Sequence, residues 1–571
     1  MGTMRRKVAI LVAGVALAGG LDGAAQAAAP VTDAPADRAV VTVSTPRLPT
    51  GDSPTARDRW REVRADAGRV LSAVASGGDL DVQARIPETG QLAVDLAGES
   101  LPQLRRRLLD DPRVLSVRPD RPVTLRYSPN DFALANADQN APLGDVGSWN
   151  VIRSGARSAW DISKGSGAEV AVIDSGIEVT HPDLAGRLVG TLACTPNCGP
   201  GSVQDDNGHG THVSGLACGD TDNGYGVASI GFDCNLWVAK VSLCSSVAQA
   251  VVTAANRSAD AINLSLGGCD SGLSAAVDYA WANGSVPVAA GTNTPVPEGA
   301  NFPAQRIQPE GSGPDLNAGR GLVVTAAAYS GQRAPFAQAT TGVSVAAFGA
   351  SSGSVGGRQG ILSTWPQDPP SIETGTLIPF QPGCNCRTAL GGDDRFAYLV
   401  GTSMAAPQVA GLVALMRSAK PDLAAPKLVR LVKLSASNCG SYVQGTGWGL
   451  INAERAVAAA VGRDLDAPSS QVTRASSKKV FVTRLDSACS SELPISGVKE
   501  VSVFASVNGR PYRSIGKTAK ESLRFRGKPG KRYRFYSVAV DAAGNLEQAP
   551  AQPDASTKVK KNKKKKRKKR R

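Results

Sequence analysis

Apolar and polar positions follow different patterns along the chain, and each pattern predicts a different structure. In the central region short apolar runs alternate with longer helix-like runs, and the apolar runs are Ala168–Ile173, Leu236–Val241, Ala261–Leu266, Val286–Ala290 and Leu322–Ala327. Apolar runs of this length predict strands buried on both faces, and the helical runs predict crossovers between them. The central pattern therefore predicts an α/β fold with a parallel sheet flanked by helices.

The regions on either side follow other patterns. From residue 38 to 127, β-like runs and two amphipathic helices follow each other in the order βαββαβ, and the first helix has an apolar stripe from Trp60 to Val74. That order predicts a ferredoxin-like α+β domain. From residue 471 to 553, short β-like runs are separated by turn signals such as Asn508-Gly509, which predicts a small β-sandwich.

The start of the chain has the composition of a targeting segment. Residues 1–28 combine a basic start, an apolar run from Val8 to Leu17 and the sequence Ala-Gln-Ala at 25–27, which together are typical of a secretory signal peptide. The full chain is 42% hydrophobic and 20% charged. After the leader it contains no apolar run long enough to cross a bilayer. We therefore expect a secreted product without a membrane span.

The end of the chain is strongly basic. Residues 558–571 hold 12 of the 64 Lys and Arg residues, and without them the formal charge falls from +15 to +3. A block of like charges without an apolar face predicts a disordered, solvated tail. Outside the cytosol its expected partners are anionic wall polymers, acidic phospholipid surfaces or extracellular DNA bound without sequence specificity, and an anionic polymer of the cell surface would retain the protein there.

A glycine-flanked serine is the first candidate for chemistry. Ser403 lies in Gly401–Gly411, GTSMAAPQVAG, directly before an apolar helix predicted from Ala405 to Met416. The N–H groups at such a helix start are unpaired, so this turn would both expose the hydroxyl and stabilise an oxyanion beside it. A serine that only caps a buried helix gives the same pattern, and a nucleophilic serine needs a base.

Three histidines are the candidates for that base: His181, His209 and His212. His209 and His212 share a glycine-rich turn, NGHGTHVSG, that enters a helix-like run. The strand predicted before residue 174 delivers Asp174 at its carboxyl end, where α/β sheets place their chemistry. Asp, His and Ser then follow each other in one of the chain orders in which a catalytic triad is known.

The sequences VIDSGI, HGTHVSG and GTSMAAPQVAG resemble the three catalytic blocks of the subtilases, the subtilisin-like serine peptidases. The resemblance covers residues 130–463. It implies that Asp174 orients the base, that His209 is the base and that Ser403 is the nucleophile. It also implies a structural role for His212.

Two further runs extend or limit the resemblance. Ile262–Gly268, INLSLGG, resembles the family strand that binds the substrate backbone, here through Ser265, Leu266 and Gly267. In the family the oxyanion donor is an Asn that closes an AAGN run, whereas this chain has AAGTN. Either Asn293 or Thr292 takes that role, and we favour Asn293 because an amide is the better donor.

The resemblance implies a serine endopeptidase that cleaves protein or peptide substrates and is made as a zymogen. Residues 38–127 resemble the family propeptide, which inhibits the site until the chain is cleaved between Tyr127 and Trp149. VAVDAAGN, in the last predicted domain, resembles the end of an immunoglobulin-like or fibronectin-like sandwich and indicates a spacer. An inactive subtilase-fold protein that binds a surface would keep the same catalytic blocks and is the alternative function.

Cysteine and acidic residues complete the sequence predictions. The ten cysteines of an exported chain predict disulfides of unassigned pairing, because their spacing lacks a second zinc-ligand pair. We expect no cofactor for catalysis. A structural calcium ion is expected from Asp183, which resembles a family ligand, and from the acidic loop at 220–226 with Asp220 and Asp222.

Overall fold

The computed structural model shows two compact units, one before and one after residue 123. The structure describes residues 38–43, 54–87, 90–111, 113–119, 129–195, 197–269, 271–293, 303–351, 360–375, 383–488, 490, 492–510 and 512–560. The predicted signal peptide, the start of the predicted cleavage region and most of the basic tail lie outside these residues. Within the described ranges, no helix has both the length and the apolarity needed to cross a membrane.

The first unit is a four-stranded antiparallel sheet with two helices. Its elements are β1 (Arg38–Val43), α1 (Pro54–Gly77), β2 (Asp81–Ile86), β3 (Gln91–Asp95), α2 (Leu101–Leu108) and β4 (Val114–Pro119). The strands lie in the order β2-β3-β1-β4, and the sheet and helices bury one core that includes Val41, Leu71 and Leu104. This arrangement is the ferredoxin-like topology that the βαββαβ order predicts.

An eight-stranded sheet forms the centre of the second unit. Its strands are β5 (Glu169–Asp174), β6 (Leu188–Cys194), β7 (Cys198–Gly199), β8 (Asn235–Val241), β9 (Ala261–Leu264), β10 (Val286–Ala290), β11 (Leu322–Ala327) and β12 (Val345–Phe348). They lie in the order β12-β11-β10-β9-β5-β8-β6-β7, and all neighbours run parallel except the edge strand β7. The parallel sheet predicted from the central pattern is confirmed, with each predicted strand within two residues of its expected bounds.

Helices cover both faces of this sheet. The helices described in the second unit are α3 (Phe132–Ala135), α4 (Trp149–Arg153), α5 (Ala156–Ala159), α6 (Pro182–Ala185), α7 (His209–Cys218), α8 (Cys244–Asn256), α9 (Ser274–Ala282), α10 (Ala304–Ile307), α11 (Ser371–Thr374), α12 (Thr402–Ala419), α13 (Ala425–Ser435) and α14 (Ala453–Ala460), with 3₁₀ turns at Pro142–Gly144 and Ser271–Leu273. Successive residues of a strand face opposite sides, so Val170 and Val172 pack with α7 and α12 while Ala171 and Ile173 pack with α8. The central strands β9 to β12 are buried at every residue and largely apolar because neither face meets water, whereas β6 near the edge alternates between exposed and half-buried residues along most of its length.

A small antiparallel sheet lies beside the main one. It consists of β13 (Ile361–Thr364), β14 (Arg387–Leu390) and β15 (Asp393–Leu399), in the order β13-β15-β14. Strand β15 ends two residues before Gly401, whose N–H donates to the Gly349 carbonyl oxygen at 2.9 Å. The main sheet and this small sheet therefore both hold the turn from which α12 begins.

The carboxyl-terminal part of the second unit is a pair of antiparallel sheets around one core. One sheet has β16 (Ser469–Ala475), β17 (Lys479–Leu485) and β20 (Ser522–Arg524), and the other has β18 (Val498–Val507), β19 (Arg513–Thr518), β21 (Arg532–Asp541) and β22 (Ala555–Lys558). Val480, Val503 and Phe535 are buried between them. A small β-rich domain is thus present, and its immunoglobulin-like identity stays a prediction.

This β-rich part reaches further along the chain than the sequence pattern indicates. Lys558, the first residue of the predicted tail, closes β22, and the Val559 side chain is buried in the core with 7% of its surface exposed. The pattern fails here because a strand of four residues among basic side chains carries too few apolar positions to be recognised. The tail therefore begins after the strand.

Among the described residues of the second unit, four pairs of cysteines are joined by disulfides with both partners described. They are Cys194–Cys198, Cys218–Cys234, Cys244–Cys269 and Cys384–Cys386. Cys439 is also disulfide-bonded. The prediction of disulfides is confirmed, and the pairing, which depends on which strand ends and helices meet, comes from the fold alone.

Candidate active site

Asp174 and His209 meet at the carboxyl edge of the main sheet. Asp174 is the last residue of β5 and His209 is the first residue of α7. The Nδ1 atom of His209 donates to Asp174 Oδ1 at 2.8 Å, and the Asp174 side chain is only 3% exposed. The Asp174 carboxylate also accepts the backbone N–H of Ser175 at 2.7 Å. With Nδ1 as the donor, the other ring nitrogen of His209 is left to accept a proton.

A glycine allows this close approach. A Cβ atom at Gly210 would lie 2.2 Å from the Gly176 carbonyl oxygen and 3.2 Å from Asp174 Cβ. Any side chain at residue 210 would therefore force the start of α7 away from the end of β5. The glycine next to His209 in the sequence is thus explained by contact between the two elements and not by helix geometry.

The electrostatic surroundings favour a proton on His209. Burial lowers the pKa of His209, but the Asp174 charge and its hydrogen bond, together with the charge of Asp205, raise that pKa above its usual value. The imidazole is therefore prepared to hold a positive charge when it takes a proton from a neighbour. The same charges mean that His209 becomes protonated, and can no longer accept a proton, when the pH falls below its raised pKa.

Ser403 is the second residue of α12 and is tied to the end of β9. Pro407 has no N–H, so the carbonyl of Ser403, four residues earlier, lacks its usual helical donor. The Ser265 hydroxyl takes that place and donates to the Ser403 carbonyl oxygen at 2.9 Å. In return the Ser403 hydroxyl donates to the Ser265 carbonyl oxygen at 3.2 Å. The serine is therefore inside the helix and is not its cap, which is Gly401.

Helices α7, which begins at His209, and α12, which carries Ser403, pack against each other. A Cβ at Gly411 would lie 2.6 Å from the Ala217 carbonyl oxygen, so the two backbones touch there. Gly411 is eight residues after Ser403, and Ala217 is eight residues after His209. Among the described contacts, no hydrogen bond joins Ser403 Oγ to His209, because the hydroxyl faces Ser265. Base catalysis requires that hydroxyl to turn towards the imidazole.

Asn293 lies at the start of α12 and Thr292 does not. Asn293 Oδ1 accepts the Thr402 N–H at 2.9 Å and the Thr402 hydroxyl at 3.0 Å. The amide oxygen is thereby fixed, and a Cβ built on Gly401 would lie 3.3 Å from Asn293 Nδ2 and 3.6 Å from the Ser403 backbone nitrogen, so the amide nitrogen lies near the Ser403 backbone. The Thr292 hydroxyl instead donates to the Gln338 side chain. The contacts favour Asn293 as the side chain next to the developing oxyanion.

The residues predicted to bind substrate backbone follow β9 at the same edge. Ser265 is buried, Leu266 is half-buried and Gly267 is exposed. Strand β9 lies between β5 and β10, so this segment runs between the end of β5 and the loop that carries Asn293. An exposed strand-like segment in this position offers backbone groups to an extended peptide.

The predicted calcium ligands have separate partners. Asp220 forms an ion pair with Arg187 at 3.0 Å, and Asp222 accepts the Asn130 N–H at 3.0 Å. Asp183 is fully buried and accepts N–H groups from Asn223 and Val227, each at 2.9 Å. These three carboxylates do not form a single group, since the acidic cluster found within the described residues is Asp464, Asp486 and Asp541.

That acidic cluster lies where α14 leads into the β-rich part. Ser496 N–H donates to Asp464 at 2.8 Å and Gly544 N–H donates to Asp541 at 2.7 Å. Backbone donors thus hold the loops of the β-rich part against the residues that follow α14. We assign this cluster a structural part in the junction.

The other two histidines are buried structural residues. His212 Nε2 lies 3.0 Å from the carbonyl oxygens of Ile361 and Ala397, and burial lowers its pKa to about 3. His181 lies 2.9 Å from the Arg395 carbonyl oxygen, and burial lowers its pKa to about 4. Both rings are therefore neutral, and they attach the main domain to the small antiparallel sheet.

Comparison with known proteins gives a consistent family. The model of the Subtilase family matches residues 165–452. Thermitase of Thermoactinomyces vulgaris is 32% identical over 53% of this chain and 92% of thermitase, and subtilisin BL of Lederbergia lenta is 31% identical over 54% of this chain and 97% of that protein. An extracellular protease of Xanthomonas campestris pv. campestris is 29% identical over 63% of this chain and 61% of that protein.

Removing the amide of Asn293 tests its place beside the oxyanion. We expect Asn293→Ala to lower kcat by roughly 10²–10³-fold with little change in KM, because the donor acts on charge that develops in the transition state. Steady-state kinetics on a chromogenic peptide measures both constants. Thr292→Ala is the matched control and should keep wild-type kcat. A loss in Thr292→Ala with normal turnover in Asn293→Ala would reverse the assignment.

Proposed function

The chain belongs to the subtilase family, and from this premise we propose that it hydrolyses peptide bonds through an acyl-enzyme formed on Ser403. Its family and its protease relatives identify it as a serine-type endopeptidase acting on proteins or peptides. The observation that carries the proposed mechanism is the hydrogen bond between His209 and the buried Asp174, at the sheet edge where the helix of Ser403 begins.

In the proposed reaction His209 carries a proton from Ser403 to the leaving group while a substrate carbonyl group is attacked. His209 takes the Ser403 hydroxyl proton while Oγ bonds to the carbonyl carbon, and Asp174 holds the imidazole by its Nδ1–H. Backbone N–H groups at the start of α12 and the Asn293 amide stabilise the oxyanion. The C–N bond then breaks, and His209 gives its proton to the leaving amine. Water attacks the acyl-enzyme by the same path and frees Ser403.

Secretion and zymogen maturation belong to the same proposal. The leader at 1–28 would direct export, and one relative is named an extracellular protease. The ferredoxin-like unit would act as the propeptide and inhibit the site until the chain is cleaved between Tyr127 and Trp149. Its support is the separate compact fold of the residues that precede the cleavage region.

A serine-directed fluorophosphonate tests the nucleophile and the maturation together. The secreted wild-type protein should take up the label and show a mature amino terminus between residues 127 and 149. Ser403→Ala should take up none and should retain the propeptide, because self-cleavage needs the same site. Failure of the folded wild-type protein to react, beside a control peptidase that reacts, would leave the surface-binding alternative. An identical mature terminus in both proteins would assign the cleavage to another peptidase.

We also propose a structural calcium ion, with a different ligand set from the one predicted. Asp131 is fully buried and its Oδ2 has no partner in the described structure, while its Oδ1 accepts the Asp222 N–H at 2.8 Å. Burial, with the charges of Asp183 and Asp222, raises the pKa of Asp131 to about 7. Burial also raises the pKa of Asp183 to about 7. Two buried carboxylates that repel each other fit a hard cation, whereas Asp220 is already neutralised by Arg187.

Calcium should stabilise the protein more at pH 8 than at pH 5. Because the folded pKa values of Asp131 and Asp183 lie above the unfolded value of about 3.9, the ion-free protein is stabilised by protons at low pH and loses that stability as the pH rises through about 7. We expect chelation to lower Tm by several degrees at pH 8 and less at pH 5. Asp131→Asn should remove this difference and Asp220→Asn should keep it. Equal Tm with and without chelator at pH 8 would exclude the ion.

The basic end of the protein supports the proposed retention at an anionic surface. Residues 469–557 contain 15 Lys and Arg against seven Asp and Glu, so the β-rich part is itself basic. Arg532, Arg534 and Lys558 are exposed on the outer face of β21 and β22, with Arg532 opposite Lys558. The basic residues of this face are followed in the sequence by the basic tail. We therefore propose that the β-rich part contributes to binding an anionic surface, in place of the spacer role expected from the sequence.

Deleting residues 561–571 should release the protein from intact cells at low salt. This boundary removes ten Lys and Arg but leaves β22 and Val559 in the core. Counterion release makes polyanion binding fall steeply with salt, so full-length and truncated proteins should become equal at high salt. Peptidase activity on a small substrate should not change. Equal partition between cells and medium at every salt concentration would contradict the proposal.

A further inference from the structure

A buried carboxylate that the proposed reaction does not use lies beside the base. Asp205 is four residues before His209 and is only 2% exposed. An isolated buried charge is costly, so such a group persists only where hydrogen bonds satisfy it. Its neighbour Asp206 differs completely, since its side chain is 82% exposed and pairs with Lys240 at 3.0 Å. The sequence shows two adjacent acids, and only the fold separates their roles.

Asp205 accepts five hydrogen bonds. Its Oδ1 atom accepts the Ser175 hydroxyl at 2.9 Å, the Asn207 N–H at 3.1 Å and the Gly208 N–H at 2.9 Å. Its Oδ2 atom accepts the N–H of Thr211 at 2.8 Å and the Thr211 hydroxyl at 2.6 Å. Both oxygens are therefore fully used, and the orientation of the carboxylate is fixed.

These donors belong to the start of the helix that carries His209. The first N–H groups of an α-helix have no partner inside the helix. In α7 the Thr211 N–H goes to Asp205, the Gly210 N–H goes to the Ser175 hydroxyl oxygen at 2.9 Å, and the His209 N–H goes to Asn207 Oδ1 at 3.3 Å. A carboxylate at this end also has a favourable interaction with the helix dipole. Asp205 thus completes the amino end of α7 from outside the helix.

The same carboxylate reaches the strand that carries Asp174. Ser175 follows Asp174 directly, and its N–H donates to Asp174 Oδ1 while its hydroxyl donates to Asp205. Gly176, next along, would meet the Asp205 Cα at 3.3 Å if it had a Cβ, so the two segments are packed together. One buried carboxylate therefore links the end of β5 to the start of α7.

We propose that Asp205 is a positioning residue of the reaction: its carboxylate holds the strand end that bears Asp174 against the helix end that bears His209. The proposal rests on the triad proposed above. Its second effect is electrostatic, because Asp205 adds a negative charge near the imidazole. The titratable groups recorded around His209 in the described structure are Asp174, Asp205 and His212, and His212 is neutral.

Asp205→Asn tests both effects in one variant. The amide keeps the size of the side chain but places an NH₂ group where donors already point, so the link between β5 and α7 is loosened. We expect kcat to fall by about 10- to 100-fold, the scale of a misplacement of about 1 Å, with KM changed less than about twofold. We also expect the acid limb of kcat/KM to move to lower pH, since a charge that favours protonated His209 is lost. A purely structural residue would lower the active fraction and leave that limb in place.

Two matched variants make the outcome decisive. Asp206→Asn changes the same residue type at the adjacent exposed position and should keep wild-type kcat and pH profile. Ser175→Ala removes the hydroxyl that links Asp205 to Gly210 but leaves both charges, so kcat should fall by about 3- to 10-fold with the acid limb unchanged. Wild-type kcat in folded Asp205→Asn overturns the proposal. If Asp205→Asn does not fold, wild-type kcat in Ser175→Ala overturns it instead.

Asp174→Asn separates this proposal from the triad on which it rests. That change should lower kcat by about 10⁴-fold, the scale known for such a substitution in another Ser-His-Asp enzyme. Wild-type kcat in Asp174→Asn would mean that the triad assignment fails, together with any role of Asp205 in it. An inactive Asp174→Asn beside a fully active Asp205→Asn would mean that the triad holds and that the Asp205 proposal alone fails.

Discussion

The hydrogen bond between His209 and the buried Asp174 is the contact on which the rest of the site depends. It requires that a helix start within hydrogen-bond distance of the end of a central strand, and an added Cβ at Gly210 would prevent this. A buried charge is costly unless donors reach it. The Ser175 N–H and the His209 Nδ1–H both donate to Asp174 Oδ1, whereas Asp174 Oδ2 has no partner in the described structure. The fold brings the end of β5 and the start of α7 together, and the missing side chain at Gly210 permits their contact.

A proline solves a second problem of placement. Pro407 lies in the second turn of α12, where its missing N–H leaves the Ser403 carbonyl without a helical partner. The Ser265 hydroxyl fills that position. The missing helical hydrogen bond is therefore replaced by one from Ser265, which connects the segment after β9 to α12. Since β9 also leads into Leu266 and Gly267, the candidate nucleophile and the candidate substrate strand are attached to each other directly.

The charges of the chain are divided between its parts. The long β-rich end is basic, whereas residues 1–468 contain 37 Lys and Arg against 42 Asp and Glu. The cationic surface lies on the β-rich part. The electrostatic potential at the carboxyl edge of the main sheet is therefore set by nearby groups such as Asp174 and Asp205. The pKa of His209 is accordingly raised by two neighbouring carboxylates and not by the net charge of the protein. The proposed binding to a polyanion and the proposed catalysis would thus depend on different residues.

The pattern of apolar residues predicted most of the secondary-structure elements, and short sequence motifs predicted much of the candidate site. Apolar runs were sufficient for five of the eight strands described in the main sheet, because a strand buried on both faces has no polar side to confuse the pattern. They did not identify β6, which is partly exposed, or the short strands β7 and β12. The three blocks that resemble those of the subtilases gave Asp174, His209 and Ser403 as candidates, and the structure places each of them at a strand or helix end. What only the tertiary structure decided depends on contacts between distant segments. It separated Asp205 from Asp206, Asn293 from Thr292 and Asp131 from Asp220, paired the cysteines and moved the start of the tail beyond Val559. Neighbouring polar residues such as Asp205 and Asp206 cannot be told apart from the sequence pattern. Only their burial and the hydrogen-bond donors around them distinguish their roles.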